Sequence, residues 1–334
     1  MKAEYKKYQL LFKQPVLTSR GEMKVKNGYF LYITINGITG TGECSFIEGL
    51  SADNLENYES TLLQLCNAIN TNQLNNKPDL KYYPSINFGL EVALLNQRNG
   101  GKGLFFESDF TNGKKGIPIN GLIWMGRKEK MLEQIKDKLQ HGFSCIKIKV
   151  GAISFDEEVS LLKFIRQKFP KDVIEIRLDA NGAFTNKNVF KNLETLSAFD
   201  IHSIEQPVKA GQFELMKKIC SSSPILIALD EELIGVEYDN QLKLLQFISP
   251  QYIILKPSLL GGFESANRWI TFAEQEKIKW WVTSALESNI GLSAIAQWVA
   301  TKNNPLMQGL GTGSLYSNNM PSSLQIRNGY LWMR

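Results

Sequence analysis

Six residues able to move protons or hold a cation recur along this chain at nearly even spacing: Lys147 and Lys149, then Asp179, Glu205, Asp230 and Lys256. From Lys149 onward the steps are 30, 26, 25 and 26 residues (149 to 179, 179 to 205, 205 to 230, 230 to 256). A strand, a helix and two short loops need about that length, so the spacing suggests one functional group per βα unit. If the units close into a barrel, all six side chains can meet at one rim. The chemistry would be that of a metal site with an amine base on each side.

Side chains alternate faces along a strand, so parity gives each group a direction. In Cys145–Val150 the apolar set is Ile146, Ile148 and Val150, while Lys147 and Lys149 share the other face. In Val173–Asn181, Ile174, Ile176, Leu178 and Ala180 lie opposite Glu175, Arg177, Asp179 and Asn181. Asp230 and Lys256 end the sets that alternate with Ile225, Ile227, Leu229 and with Ile253, Leu255. A barrel strand packs its apolar face on helices, so the charged set projects inward near the C-terminal mouth. Three carboxylates gathered there repel one another and take up protons unless a cation compensates them. An all-oxygen donor set without thiolate or imidazole favours a hard divalent ion, Mg²⁺, with Mn²⁺ as the alternative.

For a single strand-end carboxylate, helix capping or an internal salt bridge is the simpler reading. Asp179 before Ala180-Asn181-Gly182 also suits a turn, and Arg177 suits pairing with a neighbouring carboxylate. Recurrence on successive units, together with three inward lysines, favours the metal site, because lysine is rarely buried. Lys147 and Lys149 stand roughly 6–7 Å apart on one face, and like charges that close, partly buried, lower an ammonium pKa toward that of a working base. Lys149, nearer the mouth, is the expected base, with Lys147 tuning it.

The elements that must carry these groups are legible in outline. Strand patterns at Ile117–Ile123, Cys145–Val150, Val173–Leu178, Ser203–Gln206, Ile225–Leu229, Tyr252–Leu255, Lys279–Thr283 and Leu306–Leu310 alternate with helical patterns. Eight strands with intervening helices predict a parallel α/β barrel. A doubly wound sheet is the alternative, but no G-x-G-x-x-G follows a strand. Residues 1 to 115 differ: strands at Tyr5–Phe12 and Tyr29–Ile35 precede helices at Leu55–Ile69 and Ile86–Leu95, an α+β domain joined to the barrel, residues 116–315, through Asn99–Lys115. The tail 316–334 is expected to pack back on the first domain.

Composition narrows the function. At 43% hydrophobic and 21% charged the chain can bury a core. Its net charge of +5 comes from scattered lysines without an Arg/aromatic cluster, which gives nucleic-acid binding little support. Four separated cysteines without a C-x-x-C pair read as free thiols in a reducing compartment. With neither a secretory h-region nor a membrane-length apolar run, the expectation is a cytoplasmic protein that engages no membrane. Only His141 and His202 exist, both before strands, so a His-rich zinc site is excluded and lysine is left as the base.

The motifs Lys147-Ile148-Lys149, Asp179-Ala180-Asn181, Glu205-Gln206-Pro207, Asp230-Glu231-Glu232 and Lys256-Pro257-Ser258 resemble the enolase superfamily, muconate-lactonizing-enzyme subgroup, over nearly the whole chain. The resemblance implies a modified (β/α)₇β barrel with an N-terminal α+β capping domain. It implies Mg²⁺ on Asp179, Glu205 and Asp230, with Glu231 behind them and Lys149 and Lys256 flanking the substrate carbon. The chemistry implied is removal of a proton α to the carboxylate of a small-molecule substrate. Thr283–Leu292, Gly42-Glu43-Cys44, Gly49-Leu50-Ser51 and Thr18-Ser19-Arg20-Gly21 are similar to o-succinylbenzoate synthases. That family dehydrates a succinylated hydroxycyclohexadiene carboxylate (SHCHC) in menaquinone biosynthesis. Ser19, Arg20, Asn181, Ser284, Leu286, Gly311 and Thr312 are then the expected substrate contacts, with N–H groups of the helix after Glu287 and of the Gly309–Gly313 loop as seats for the succinyl carboxylate. Alternatively these glycines merely make a tight turn. Dipeptide epimerases of the subgroup carry Asp-x-Asp where this chain reads Gly309-Leu310-Gly311-Thr312-Gly313, which argues against a dipeptide substrate. N-Succinylamino acid racemases share the metal and lysine set and remain the first rival; the second is a catalytically silent binding protein that kept the barrel, against which the intact base–metal–base set argues. The oligomeric state is left open.

Overall fold

The computed structural model describes residues 1–18, 21–124 and 126–334. Three antiparallel strands open the chain: β1 (Lys2–Thr18), β2 (Gly21–Ile35) and β3 (Ile38–Cys44), in the order β1-β2-β3. The β1–β2 register shifts between Leu11 and Val16, where Pro15 interrupts the ladder. Helices α1 (Tyr58–Asn70) and α2 (Pro84–Arg98) cover one face of this sheet. Leu31, Ile33, Leu62, Leu65 and Ile86 form its buried core. β3 is an element the alternation pattern did not reveal. Its Gly40 and Gly42 let the strand lie directly on α2: a Cβ on Gly42 would come within 1.8 Å of the Gly89 carbonyl oxygen.

The segment 99–116 contains no long helix or strand, yet it is no loose linker. Phe105 and Phe110 are buried in the main core, and Gln297 accepts the Phe105 N–H at 2.8 Å and donates to the Gly103 carbonyl.

The remainder is a (β/α)₇β barrel. After β4 (Ile117–Pro118), the strands β5 (Gly121–Ile123), β6 (Cys145–Lys149), β7 (Glu175–Asp179), β8 (Ser203–Glu205), β9 (Ile227–Leu229), β10 (Tyr252–Leu255) and β11 (Lys279–Val282) form one parallel sheet in chain order. The helices between them are α3 (Lys128–Gln140), α4 (Phe155–Lys168), α5 (Val189–Ser197), α6 (Phe213–Ser222), α7 (Tyr238–Ile248), the short α8 (Pro257–Leu260) with α9 (Phe263–Gln275), and α10 (Asn289–Ala300). The eighth strand is reduced to two bridges, Thr283 with Gly309 and Ile119 with Gln308. Backbone bonds from Gly309 to Val282 and from Gln308 to Pro118 reach both edges of the sheet and close it. These bonds tie the two sides of the sheet together, and the apolar outer faces of the strands pack on the helices.

The tail divides. Tyr316 bridges Phe12 on β1. The hairpin of β12 (Leu324–Arg327) and β13 (Tyr330–Met333) pairs with β4 of the barrel region instead. Main-chain pairing of Tyr330 with Pro118 and of Leu331 with Ile117 makes that placement. Among the described residues no helix is long and apolar enough to cross a membrane.

Candidate active site

Parallel register brings the functional groups to one level. Lys149 lies beside Asp179 and Asp179 beside Glu205, while Lys147 stands one layer down beside Arg177. Asp230 and Lys256 directly follow β9 and β10. The inward parity holds for all six. Below them Arg177 is 2% exposed, bonded to Glu175 at 2.7 Å and lying 4.2 Å over the Trp281 ring.

Lys147 Nζ lies 2.9 Å from Asp179 and also reaches Glu205. Lys149 Nζ donates to Asp179 at 3.0 Å and to Asn181 at 2.6 Å; Asn181 in turn donates to Glu231 at 2.9 Å. Lys256 donates to Asp230. Burial opposes ionisation of Asp179, but Lys147, Lys149 and Lys256 outweigh it and hold its pKa below the usual range. Burial likewise opposes charge on Asp230, and Lys256 leads the groups that draw its pKa down. Glu205 is the reverse case: burial and the charge of Asp179 push it well up. Burial and Asp230 raise Glu231. Burial works against the Lys147 ammonium, yet Asp179, Glu205 and Asp230 raise its pKa; Asp230 and Glu231 do the same for Lys256 against its burial. This corrects the expectation for Lys147, because carboxylates, rather than the neighbouring lysine, dominate its field.

Among the described residues no group of three His, Cys, Asp or Glu side chains is spaced as a ready-made ion cage. Lysine ammoniums stand against the carboxylates instead. The donor set still fits a divalent cation: three buried carboxyl groups and the half-buried Glu231 face three lysines, and Glu205 Oε1 and Asp230 Oδ1 lack hydrogen-bond partners among the described residues. Oxygen-only donors with a charge deficit suit a hard ion.

Over this cluster opens a cavity of about 600 Å³. Lys147, Lys149, Asp179, Asn181, Glu231 and Lys256 line its floor; Glu205 and Asp230 lie outside its wall, 2% and 1% exposed. Ser284, Leu286, Gly311 and Thr312 also line it, with the Ser284 and Thr312 hydroxyls 2.5 Å apart. Asn181 and Leu286 hold left-handed backbone (φ 43° and 63°), strained for non-glycine residues and placed at the rim. Ser19 and Arg20 lie outside the described residues. The flanking stretch from Gly21 to Asn27, with Phe46, Ile47 and Leu50, supplies the wall from the first domain.

One expectation fails. The N–H groups of Ser288 and Gly291 at the start of α10 are taken by the Glu43 carboxylate, at 2.7 and 2.9 Å, so they are no seat for a substrate anion. Gly309 is likewise spent on barrel closure. Trp281, Trp124 and Lys26 line the cavity without having been singled out. Strand parity with Thr283 could have found Trp281. Nothing local marks Lys26, whose place depends on the docking of two domains.

Residues 130–334 match the family described as enolase C-terminal domain-like, and residues 1–97 match the MenC N-terminal domain. The chain is 44% identical to an o-succinylbenzoate synthase of Desulfotalea psychrophila, over 99% of this chain and 98% of that one. The chain belongs to the o-succinylbenzoate synthases. The crystal structure of MenC from D. psychrophila superposes with a TM-score of 0.89 at 41% identity, covering 100% of this chain and 99% of that one. An o-succinylbenzoate synthase of Thermosynechococcus elongatus, complexed with Mg in its active site, shares the fold at a TM-score of 0.76 and 22% identity, over 92% of each chain. As an o-succinylbenzoate synthase this chain is a hydro-lyase of the enolase superfamily, a group whose members use a divalent metal. A hydrophobic dipeptide epimerase of Enterococcus faecalis is 30% identical over only 52% of this chain.

Proposed function

We propose that this protein dehydrates SHCHC to 2-succinylbenzoate, with Lys149 as the base and Lys256 as the opposing cation. The observation that carries the reading is that Lys149 and Lys256, from strands four apart in the sheet, line one cavity above the carboxylate cluster. Asp179, Glu205 and Asp230 would hold Mg²⁺. When bound, the ion supplies positive charge to the substrate carboxylate as that group gains electron density. Lys149 takes the α proton, and the C–H electron pair passes toward the carboxylate. Electrons then return to expel the ring hydroxyl, to which the Lys149 ammonium delivers the proton as water departs. One C–H and one C–O bond break, a ring C=C forms, and the ring becomes aromatic. Lys256 faces the ring as a fixed cation and stabilises the developing charge. Asn181 aims Lys149, being hydrogen-bonded both to its ammonium and to Glu231. Ser284 and Thr312 offer hydroxyls to the substrate.

The test is a comparison of two activities with purified protein and Mg²⁺: conversion of SHCHC, and exchange of the α proton of N-succinylamino acids with solvent deuterium. Efficient dehydration is the expected result. Rapid exchange with negligible dehydration would reassign the substrate to the racemase class.

A further inference from the structure

Glu43, on β3 of the first domain, is 0% exposed and outside the catalytic cluster. Its carboxylate receives the N–H groups of Ser288 and Gly291, the Ser288 hydroxyl at 2.5 Å, and the Tyr8 hydroxyl. The first turn of α10 is thus capped by a residue 245 positions away in the sequence. Gly291 is shaped for this contact, since a Cβ there would meet Glu43 Oε2 at 2.8 Å. Lys26, buried and bonded to Ser45, faces the charges of Glu43 and Glu287. Glu287 accepts from Ser258 and from the Ala285 N–H at 2.7 Å. Between β11 and α10 lie Ser284, Ala285 and Leu286, all in the cavity wall, with Leu286 in left-handed backbone.

We propose that Glu43 is a positioning residue: by capping α10 from the first domain it sets the Ser284–Leu286 wall against the substrate. A strained turn keeps its shape only while its surroundings over-determine it, and here the far end of the turn is held by that carboxylate. Glutamine at this position has the same shape but turns an amide donor toward N–H groups that need acceptors, and it withdraws negative charge from a helix N-terminus. A displaced wall weakens substrate binding more than it slows the chemistry, because Lys149 on β6 and Lys256 after β10 stand outside this turn.

This inference rests on the dehydratase reading, so wild-type turnover of SHCHC is measured alongside. In Glu43→Gln, KM is expected to rise about tenfold while kcat stays within about threefold and Mg²⁺ activation is unchanged. A purely structural role would lower the unfolding midpoint with KM untouched, and that result overturns the proposal. Ser288→Ala removes one donor yet leaves the carboxylate on Gly291; its KM should rise about threefold. If Glu43→Gln does not fold, a wild-type KM in Ser288→Ala overturns the proposal. If wild-type protein does not convert SHCHC, the dehydratase reading falls by itself, and the same KM comparison is made on N-succinylamino acid exchange.

Discussion

Asp179 is the residue on which the site turns, because two lysines share it. It orients the ammonium of Lys149, and its low pKa keeps it charged and able to take a cation. Replacing Lys149 by alanine should lower kcat by about 10²–10⁴-fold, the usual contribution of a positioned acid–base group, without changing the Mg²⁺ midpoint. Steady-state kinetics over a Mg²⁺ titration measure both, and undiminished kcat would remove Lys149 from the role of base. Asp179→Asn should instead weaken Mg²⁺ by at least about tenfold, or about 1.4 kcal/mol, read by direct calorimetric titration. Asp53 is a buried acid of the first domain that does not line the cavity. It accepts the N–H and hydroxyl of Ser85 at 3.1 and 2.8 Å, and burial pushes its pKa from 3.8 up to about 6. A raised carboxyl pKa favours the folded state fully below the unfolded value, and that share is lost as pH rises through about 6. Between pH 4 and 6.5 the share lost is at most about 3 kcal/mol. Urea unfolding of Asp53→Asn should show a flatter pH dependence than wild type over that window; an identical slope would contradict the assignment.

At the level of elements, strands β6 to β10 announced themselves because each carries a functional group at or just past its C-terminal end and an apolar set on its outer face. β7 is the clearest case: Ile176 and Leu178 pack outward while Arg177 and Asp179 point in. The eighth strand was expected over Leu306–Leu310, yet only Gln308 and Gly309 bridge. Gln308 uses its side chain as well, accepting the Val282 N–H at 2.8 Å and donating to the Leu306 carbonyl, so closure is partly a side-chain affair that periodicity cannot display. β3 escaped notice for a related reason: Gly40 and Gly42 replace the side chains whose alternation would have marked it. Their absence is what lets α2 approach. Gly42→Ala would force the strand off the Gly89 carbonyl and should destabilise the protein by roughly 3 kcal/mol. Chemical denaturation measures this, and an unchanged midpoint would mean that the β3–α2 contact carries little of the stability.

Across the whole molecule, two carboxylates of the first domain cap barrel helices: Glu43 on α10, and Glu91 on α9 through the Phe263 and Glu264 N–H groups. Those helices follow the loops that carry Ser284–Leu286 and Lys256, so the docking of the two domains and the shape of the cavity are one problem. This is the part least legible beforehand. Gly42-Glu43-Cys44 stood out only by resemblance, Glu91 not at all, and the α10 N-terminus that Glu43 fills looked available for a substrate. By contrast, the level at which Lys149, Asp179, Glu205, Asp230 and Lys256 meet was readable from spacing and parity, since each sits at a fixed point of a repeating unit. Lys149 and Lys256 are proposed to face each other across the substrate ring, and a crystal structure with Mg²⁺ and 2-succinylbenzoate would show it. The aromatic ring is expected between the two ammonium groups, with the ring carboxylate at the ion held by Asp179, Glu205 and Asp230. A product ring lying outside that gap, or both lysines on one face of it, would rule the arrangement out.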